Sequence, residues 1–143
     1  MFEKAIEKAL GFTKPLHTIS RTYGGLVIPG TATLFFVNDS GVAVTCKHVI
    51  SLIPTADNLN TTYSKFKEER NNLVKDNKYK RNLNGLELKY KYNSETTVQL
   101  KNMFMNCFDK IEQITFHVHP TLDLAIVEFK GLKKYYTTLM HHL

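Results

Sequence analysis

The sequence predicts a mainly β protein in which six or so short antiparallel strands form a small barrel or sandwich. Stretches rich in β-branched and aromatic residues recur along the chain and are separated by polar, Gly or Pro turns. Helical periodicity does not alternate regularly with these stretches, as it would in a parallel sheet. The 143 residues, 43% of them hydrophobic, can fill one ordinary core.

The N-terminal part predicts a helix followed by a strand. Residues 2–10 place apolar side chains on one helical face and Glu or Lys on the other, which indicates a short amphipathic helix closed by Gly11. Residues 16–28 have strand composition, and the Gly pair at 24–25 predicts a bulge or sharp bend within that strand. The Pro-Gly pair at 29–30 is then expected to turn the chain into the next strand.

Residues 30–50 predict two apolar strands joined by a tight turn. Asn, Asp and Ser at 38–40 favour turn geometry through side-chain hydrogen bonds to the backbone, and Gly41 supplies positive φ. The second strand is expected to end at 45–48, which places His48 at its end.

The chain after His48 predicts helical segments. Residues 49–54 are apolar and indicate a single helical turn that ends at Pro54. Residues 57–84 are polar and charged and are interpreted as an insertion with a solvated helix near 61–76.

The last third of the chain predicts strands again. Residues 86–92 alternate apolar and charged side chains, which indicates a half-buried strand. Further strands are predicted at 96–104, 111–118 and 123–129.

Composition narrows the function classes. Lys and Arg number 19 against 13 Asp and Glu, a net charge of +6, but basic character alone does not indicate nucleic-acid binding, and we expect none. Cys46 and Cys107 lack the paired spacing of a zinc or redox motif and suit a reducing compartment, although a disulfide between them stays open. The N-terminus lacks a secretory signal, and no apolar run is long enough to span a membrane. We therefore expect a cytoplasmic protein without membrane contact.

His48 and Asp123 are the candidate functional residues. Taken alone, His48 could be a structural side chain and Asp123 could cap a turn. Asp123 directly precedes an apolar strand, where a carboxylate needs a donor such as an imidazole N–H to offset its desolvation. Such a pairing would bring together two residues that lie 75 positions apart in sequence.

Residues 30–50 and 119–129 resemble two landmarks of the trypsin-like, chymotrypsin-fold serine peptidases. The first resembles the family's strand–turn–strand that leads to the catalytic His, and the second resembles its Asp-Leu-Ala strand. The resemblance implies that His48 is the general base and that Asp123 fixes its tautomer and stabilises the imidazolium. It also implies an antiparallel six-stranded barrel of chymotrypsin type, the first of the family's two barrels.

The resemblance implies a domain organisation and an incomplete active site. Residues 1–14 form a helix and lead-in, 15–132 form the barrel with the insertion at 57–84, and 133–143 form a tail or a linker to a second barrel. In the family that second barrel supplies the nucleophile within a Gly-x-Ser-Gly loop, and no serine here has this context; the serines are Ser20, Ser40, Ser51, Ser64 and Ser94. The resemblance thus implies a serine endopeptidase segment that is inactive alone.

Cys46 and two further histidines are the other side chains that could act as a nucleophile or as metal ligands. On an extended strand, Cys46 would lie about 7 Å from His48 along the backbone, so we expect a buried structural thiol and not a rival nucleophile. His117 and His119 would share one face of a strand, but without a third ligand we expect neither a metal nor another cofactor.

An alternative function is a non-catalytic interaction module. A peptidase-like half barrel could bind a protein partner through the basic 65–81 segment or through exposed sheet edges, and it could self-associate. The expected partner is therefore a polypeptide substrate, a complementing second barrel, a second copy or another protein.

Overall fold

A computed structural model describes residues 2–138. The protein is mainly β, with six strands in an antiparallel, nearly closed barrel and additional helices, so the predicted fold class is confirmed at this level. The elements in chain order are α1 (Phe2–Phe12), β1 (Thr13–Thr22), β2 (Val27–Phe36), β3 (Val42–Thr45), α2 (Lys47–Ile50), α3 (Leu52–Asn71), α4 (Tyr79–Tyr90), β4 (Thr97–Phe104), β5 (Phe108–Val118) and β6 (Ala125–Lys134). The strand order in the sheet is β4-β1-β2-β3-β6-β5. Within the described residues, no helix is both long enough and apolar enough to cross a membrane.

The described residues divide into two compact units. The first unit comprises residues up to His17, Thr31–Ile53 and the chain from Asn102 onward. The second unit comprises Thr18–Gly30 and Pro54–Lys101. The candidate functional residues His48 and Asp123 both belong to the first unit.

The core of the first unit is built from alternating positions of its strands. The inward residues of β6 are buried and the residues between them are exposed, as expected for a strand with one wet face. The Phe36 ring stacks on Tyr136 with 3.7 Å between ring centroids. The buried cluster consists of Leu34, Phe36, Ala43, Ile50, Cys107, Ala125, Val127 and Phe129.

The second unit is organised around Phe66, a fully buried residue of α3. Tyr23 and Tyr90 meet its ring edge-on, and Tyr92 packs at 4.9 Å between centroids. Tyr23 donates a 2.6 Å hydrogen bond to the Glu87 carboxylate, so the hydroxyl of this packed ring is paired.

The turn predicted at 38–41 is confirmed in detail. Asn38 Oδ1 accepts hydrogen bonds from the backbone N–H groups of Ser40 at 3.0 Å and Val42 at 3.2 Å. Gly41 has a φ of 86°, the left-handed region that glycine adopts without a Cβ clash. The turn sets the register in which β2 and β3 pair, with Phe35 opposite Val44.

The Gly pair at 24–25 forms the turn between β1 and β2, so the prediction of one bulged strand over 16–28 was wrong. Gly25 has a φ of 94°, and the Thr22 N–H donates to the Leu26 carbonyl at 2.9 Å. The Pro-Gly pair at 29–30 lies inside β2 and does not turn the chain. Strand β3 pairs with β2 at Phe35 and Phe36, away from this Pro.

The helices of the predicted insertion differ from expectation in their bounds. Pro54 does not end a helix but lies in the first turn of α3, where its missing N–H has no intrahelical partner to lose. The helix predicted at 61–76 is α3, which begins at Leu52 and ends at Asn71.

Residues 86–92 belong mostly to α4, so the prediction of a strand there was wrong. Leu86 is buried but Leu88 is 79% exposed, although strict alternation would place both on one face. The helix ends because Lys91 adopts a left-handed φ of 57°, and the Tyr92 N–H then donates to the Glu87 carbonyl at 2.9 Å.

The last strands were predicted with small errors in their bounds. The strand predicted at 96–104 is β4, and the strand predicted at 111–118 is β5, which begins at Phe108. Strand β6 begins after Asp123 and extends to Lys134, into the segment 133–143 predicted as a tail or linker. Residues 139–143 of that segment lie outside the described residues.

Candidate active site

Antiparallel pairing of β3 with β6 brings the two candidate residues together. The register runs from Val42 opposite Glu128 to Thr45 opposite Ala125, so β3 ends beside the start of β6. His48 follows β3 within α2, and Asp123 lies two residues before the start of β6. Side chains 75 residues apart in sequence therefore meet at the end of β3 and the start of β6.

Asp123 contacts His48 through both carboxylate oxygens. Its Oδ1 accepts the backbone N–H of His48 at 3.0 Å, and its Oδ2 lies 2.6 Å from ring atom Nδ1. An ionised carboxylate is only an acceptor, so Nδ1 carries the proton in this contact. In the neutral ring, Nε2 is then the bare nitrogen and can accept a proton.

Asp123 also performs the capping role at the start of α2. Cys46 occupies the N-cap position and makes no capping bond through its side chain to any described residue. The remote carboxylate accepts the His48 N–H instead, which satisfies one donor of the first turn. At the other end of this turn, Ser51 Oγ donates to the His48 carbonyl at 2.6 Å. Both contacts fix the backbone that carries the ring.

The pair is open to solvent. The side chains of His48 and Asp123 are 70% and 56% exposed, and both line an open cleft together with Lys47, Ser51, Thr121 and Leu122. The prediction that the Asp123 carboxylate is desolvated was therefore wrong, because more than half of this side chain is exposed to solvent. The His48 backbone N–H, and after it the His48 ring, hold the pKa of Asp123 below its ordinary value.

His119 organises the loop that presents Asp123. Its ring atom Nδ1 accepts the backbone N–H groups of Thr121 at 3.2 Å and Leu122 at 3.0 Å. The backbone N–H of His119 donates to the Leu124 carbonyl at 2.8 Å. The sequence pattern indicated His119 only as a candidate metal ligand together with His117. A His followed by Pro and Thr before the acid is a turn-forming pattern that could have indicated this positioning role.

His117, the other histidine of that candidate metal pair, lies in β5. Its Nε2 is 3.9 Å from Glu128 Oε1 on the neighbouring strand. His119 lies beyond the end of β5 at Val118, so the two histidines do not continue one strand face as predicted.

Cys46 lies beside the pair and is exposed, so the prediction of a buried thiol was wrong. Strand β3 ends at Thr45, and the chain turns into α2, so the spacing of an extended strand does not apply. Cys46 Sγ, a ring nitrogen of His48 and a carboxylate oxygen of Asp123 all lie within 4.8 Å of one another. Cys46 and Cys107 are both free thiols.

No family model matches the chain, and a search of curated proteins finds no match to it. The assignment of function therefore depends on the geometry of the site and on the resemblance of its two sequence segments.

Proposed function

We propose that His48 and Asp123 are the general base and the orienting acid of a trypsin-like serine endopeptidase. The observation that carries this proposal is the 2.6 Å contact between His48 Nδ1 and Asp123 Oδ2. In a Ser-His-Asp triad the acid binds Nδ1–H, which leaves Nε2 to take the proton of the nucleophile. Replacing that acid by its amide lowers kcat about 10,000-fold in the template enzyme of this mechanism.

The fold around the pair supports the proposal. A six-stranded antiparallel sheet holds His48 and Asp123 after β3 and before β6, two strands that pair directly. The two sequence segments that resemble the peptidases are the segments that carry these strands. We therefore propose that the barrel is of chymotrypsin type and corresponds to the family's first barrel.

The nucleophile is proposed to come from outside these 143 residues. A general base needs a nucleophile and an oxyanion hole to catalyse acyl transfer, and none of the serines has the family's Gly-x-Ser-Gly context. A C-terminal continuation of the chain or a partner chain would supply both to the open cleft beside His48. We also propose a reducing compartment such as the cytoplasm, because both cysteines are free thiols.

Reconstitution of a complete enzyme tests this proposal. The chain is produced with its downstream coding region, or with a candidate second barrel, and is assayed for cleavage of a peptide library and for labelling by a serine-directed fluorophosphonate. We expect both signals in the complete form and the loss of both in His48→Ala. His117→Ala is the matched control, because it removes an exposed histidine outside the pair. Equal cleavage by wild type and His48→Ala would contradict the proposal.

A second candidate function is a protein-binding module, and one observation favours it. Val118, Leu124 and Ile126 are 49%, 41% and 41% exposed and line one cleft, and exposed apolar residues in such a group are suited to a partner surface. Binding of a protein that is weakened by Ile126→Asp but unchanged by His48→Ala, without peptidase activity in the reconstituted form, would favour the module.

A further inference from the structure

Three different metal-ligating side chains meet at the end of β3. Cys46 Sγ, a ring nitrogen of His48 and a carboxylate oxygen of Asp123 lie within 4.8 Å of one another, and all three residues are exposed. A tetrahedral zinc ion holds ligand atoms roughly 3.5 Å apart, given metal–ligand bonds of about 2.0–2.3 Å. His48 Nδ1 and Asp123 Oδ2 lie 2.6 Å apart and would have to separate, which rotamer changes of these exposed side chains allow.

The combination of donors selects the kind of metal. A thiolate favours soft and borderline ions, an imidazole suits zinc and copper, and a carboxylate completes many zinc sites. Mg²⁺ and Ca²⁺ prefer oxygen ligands only and would leave the thiolate unused. Three protein ligands leave a fourth position for water in tetrahedral geometry.

We propose that Cys46, His48 and Asp123 form a binding site for zinc. His48 and Asp123 line the open cleft and Cys46 is exposed beside them, so an ion can reach the three side chains without any rearrangement of the fold. The nearby ammonium group of Lys47 approaches the His119 carbonyl at 3.4 Å, which gives this positive charge an acceptor of its own. This proposal departs from the expectation of no metal, which was based on the unpaired spacing of the two cysteines and on the lack of a third ligand beside His117 and His119.

The zinc proposal is based on the side-chain cluster and does not depend on the proposed peptidase function. If both proposals are correct, zinc binding affects catalysis, because His48 and Asp123 belong to both sites. Zinc bound to the ring of His48 and to Asp123 replaces the hydrogen bond between them, so a metal-bound pair cannot transfer protons. Zinc is therefore a reversible inhibitor of the proposed enzyme.

Cys107 provides an internal contrast. It is fully buried, its Sγ contacts the Met105 carbonyl at 3.3 Å, and burial raises the pKa of its thiol to about 11. A metal-thiolate signal from this chain therefore reports on Cys46.

Titration with Co²⁺, a spectroscopic substitute for zinc, tests the site in the 143-residue chain. We expect a thiolate-to-cobalt charge-transfer absorption and tetrahedral ligand-field bands at one equivalent, both displaced by zinc. Cys46→Ser should abolish the charge-transfer absorption. His48→Ala and Asp123→Ala should each weaken zinc binding more than about 100-fold, because even outer-sphere partners cost 10–100-fold. His117→Ala and Cys107→Ser are the controls and should bind like wild type.

Circular dichroism of each metal-free variant checks that it is folded. The proposal is overturned if wild type gives no charge-transfer absorption or if the absorption persists in Cys46→Ser. It is also overturned if His48→Ala and Asp123→Ala bind zinc as tightly as wild type, since the thiol would then act alone. None of these outcomes depends on peptidase activity, so failure of the zinc site and failure of the proposed function are distinguishable.

Discussion

Asp123 holds His48 at two points, with Oδ1 on its backbone N–H at 3.0 Å and Oδ2 on its ring Nδ1 at 2.6 Å. One carboxylate therefore fixes both the start of α2 and the orientation of the imidazole. A residue that only oriented the ring would not accept the His48 backbone N–H in the first turn of α2. Because Oδ2 accepts from Nδ1–H, the tautomer of His48 shows whether the Asp123 carboxylate binds the ring.

The first prediction concerns that tautomer. In Asp123→Asn the amide oxygen can still accept one N–H, but the NH₂ group cannot accept from Nδ1–H. We expect the neutral ring of His48 to change from the Nδ1–H form in wild type toward the Nε2–H form. Nitrogen-15 NMR of the histidine rings measures this change.

The control for the tautomer prediction is Glu128→Gln, which alters the carboxylate near His117 and not the one at His48. We expect the spectrum of His48 to be unchanged in that variant. An Nε2–H tautomer of His48 already in wild type would contradict the assigned contact and would remove the main support for the general-base role.

The site pair was predicted from sequence because each residue adjoins a strongly patterned strand. The turn residues at 38–41 fix where β3 begins, and the apolar run after Asp123 fixes where β6 begins. The pairing of β3 with β6 is a tertiary property that no local pattern contains. The sequence led us to expect only that His48 and Asp123 meet, from the desolvation of the carboxylate and from the resemblance of the two segments to a family; the strand pairing that brings them together is seen in the register.

Other features could not be predicted because they depend on tertiary contacts or on a single dihedral angle. Alternation over 86–92 predicts a strand, but most of these residues lie in α4. There Tyr90 Oη donates to the Glu69 carboxylate at 2.7 Å, a contact with a distant residue that the local pattern does not contain. Cys46 was predicted as buried because the strand was expected to continue to 45–48. Strand β3 ends at Thr45 and α2 begins at Lys47, so the alternation of side chains along a strand does not apply to Cys46.

The second prediction concerns His119 as a positioning residue. His119→Ala removes the acceptor for two backbone N–H groups of the loop before Asp123, so we expect that carboxylate to lose its fixed position. His119→Asn retains a short side-chain acceptor, as in an Asx turn, and should restore much of the order. The measurement is the Nδ1–H proton resonance of His48, which should weaken in the Ala variant and recover in the Asn variant.

A merely structural role for His119 would lower thermal stability equally in both of these variants and leave the His48 resonance intact. That outcome would contradict the positioning role. His117→Ala serves as the matched control, since His117 lies near the end of β5 and its ring approaches Glu128 on the neighbouring strand.

The third prediction concerns the turn at Gly41. Its φ of 86° disfavours any side chain, and a Cβ there would collide with the backbone carbonyl of Phe129. We expect Gly41→Ala to lower the free energy of unfolding by about 1–3 kcal/mol. Urea denaturation monitored by circular dichroism measures the change.

The matched control for Gly41 is Gly85, which lies exposed within α4 and has no atoms near the position of an added Cβ. Gly85→Ala should raise the free energy of unfolding by about 0.4–1 kcal/mol, because Ala restricts the unfolded chain and favours helix. Equal effects of both substitutions would show that the left-handed turn is not required.

The fourth prediction is a pH dependence at Glu69, which links α3 to α4. Its carboxylate accepts from Lys89 Nζ and Tyr90 Oη, each at 2.7 Å, and these donors lower the pKa of Glu69, Lys89 first. A carboxylate with a lowered folded pKa stabilises the fold above its unfolded pKa of about 4.3. That contribution is lost as pH falls through the lower folded value. Wild type should therefore exceed Glu69→Gln in thermal stability near neutral pH, and the two proteins should converge in acid. The control is Glu68→Gln, an exposed neighbour on α3, which should differ little from wild type at every pH. A stability difference between wild type and Glu69→Gln that persists below the folded pKa of Glu69 would contradict the charge-based account.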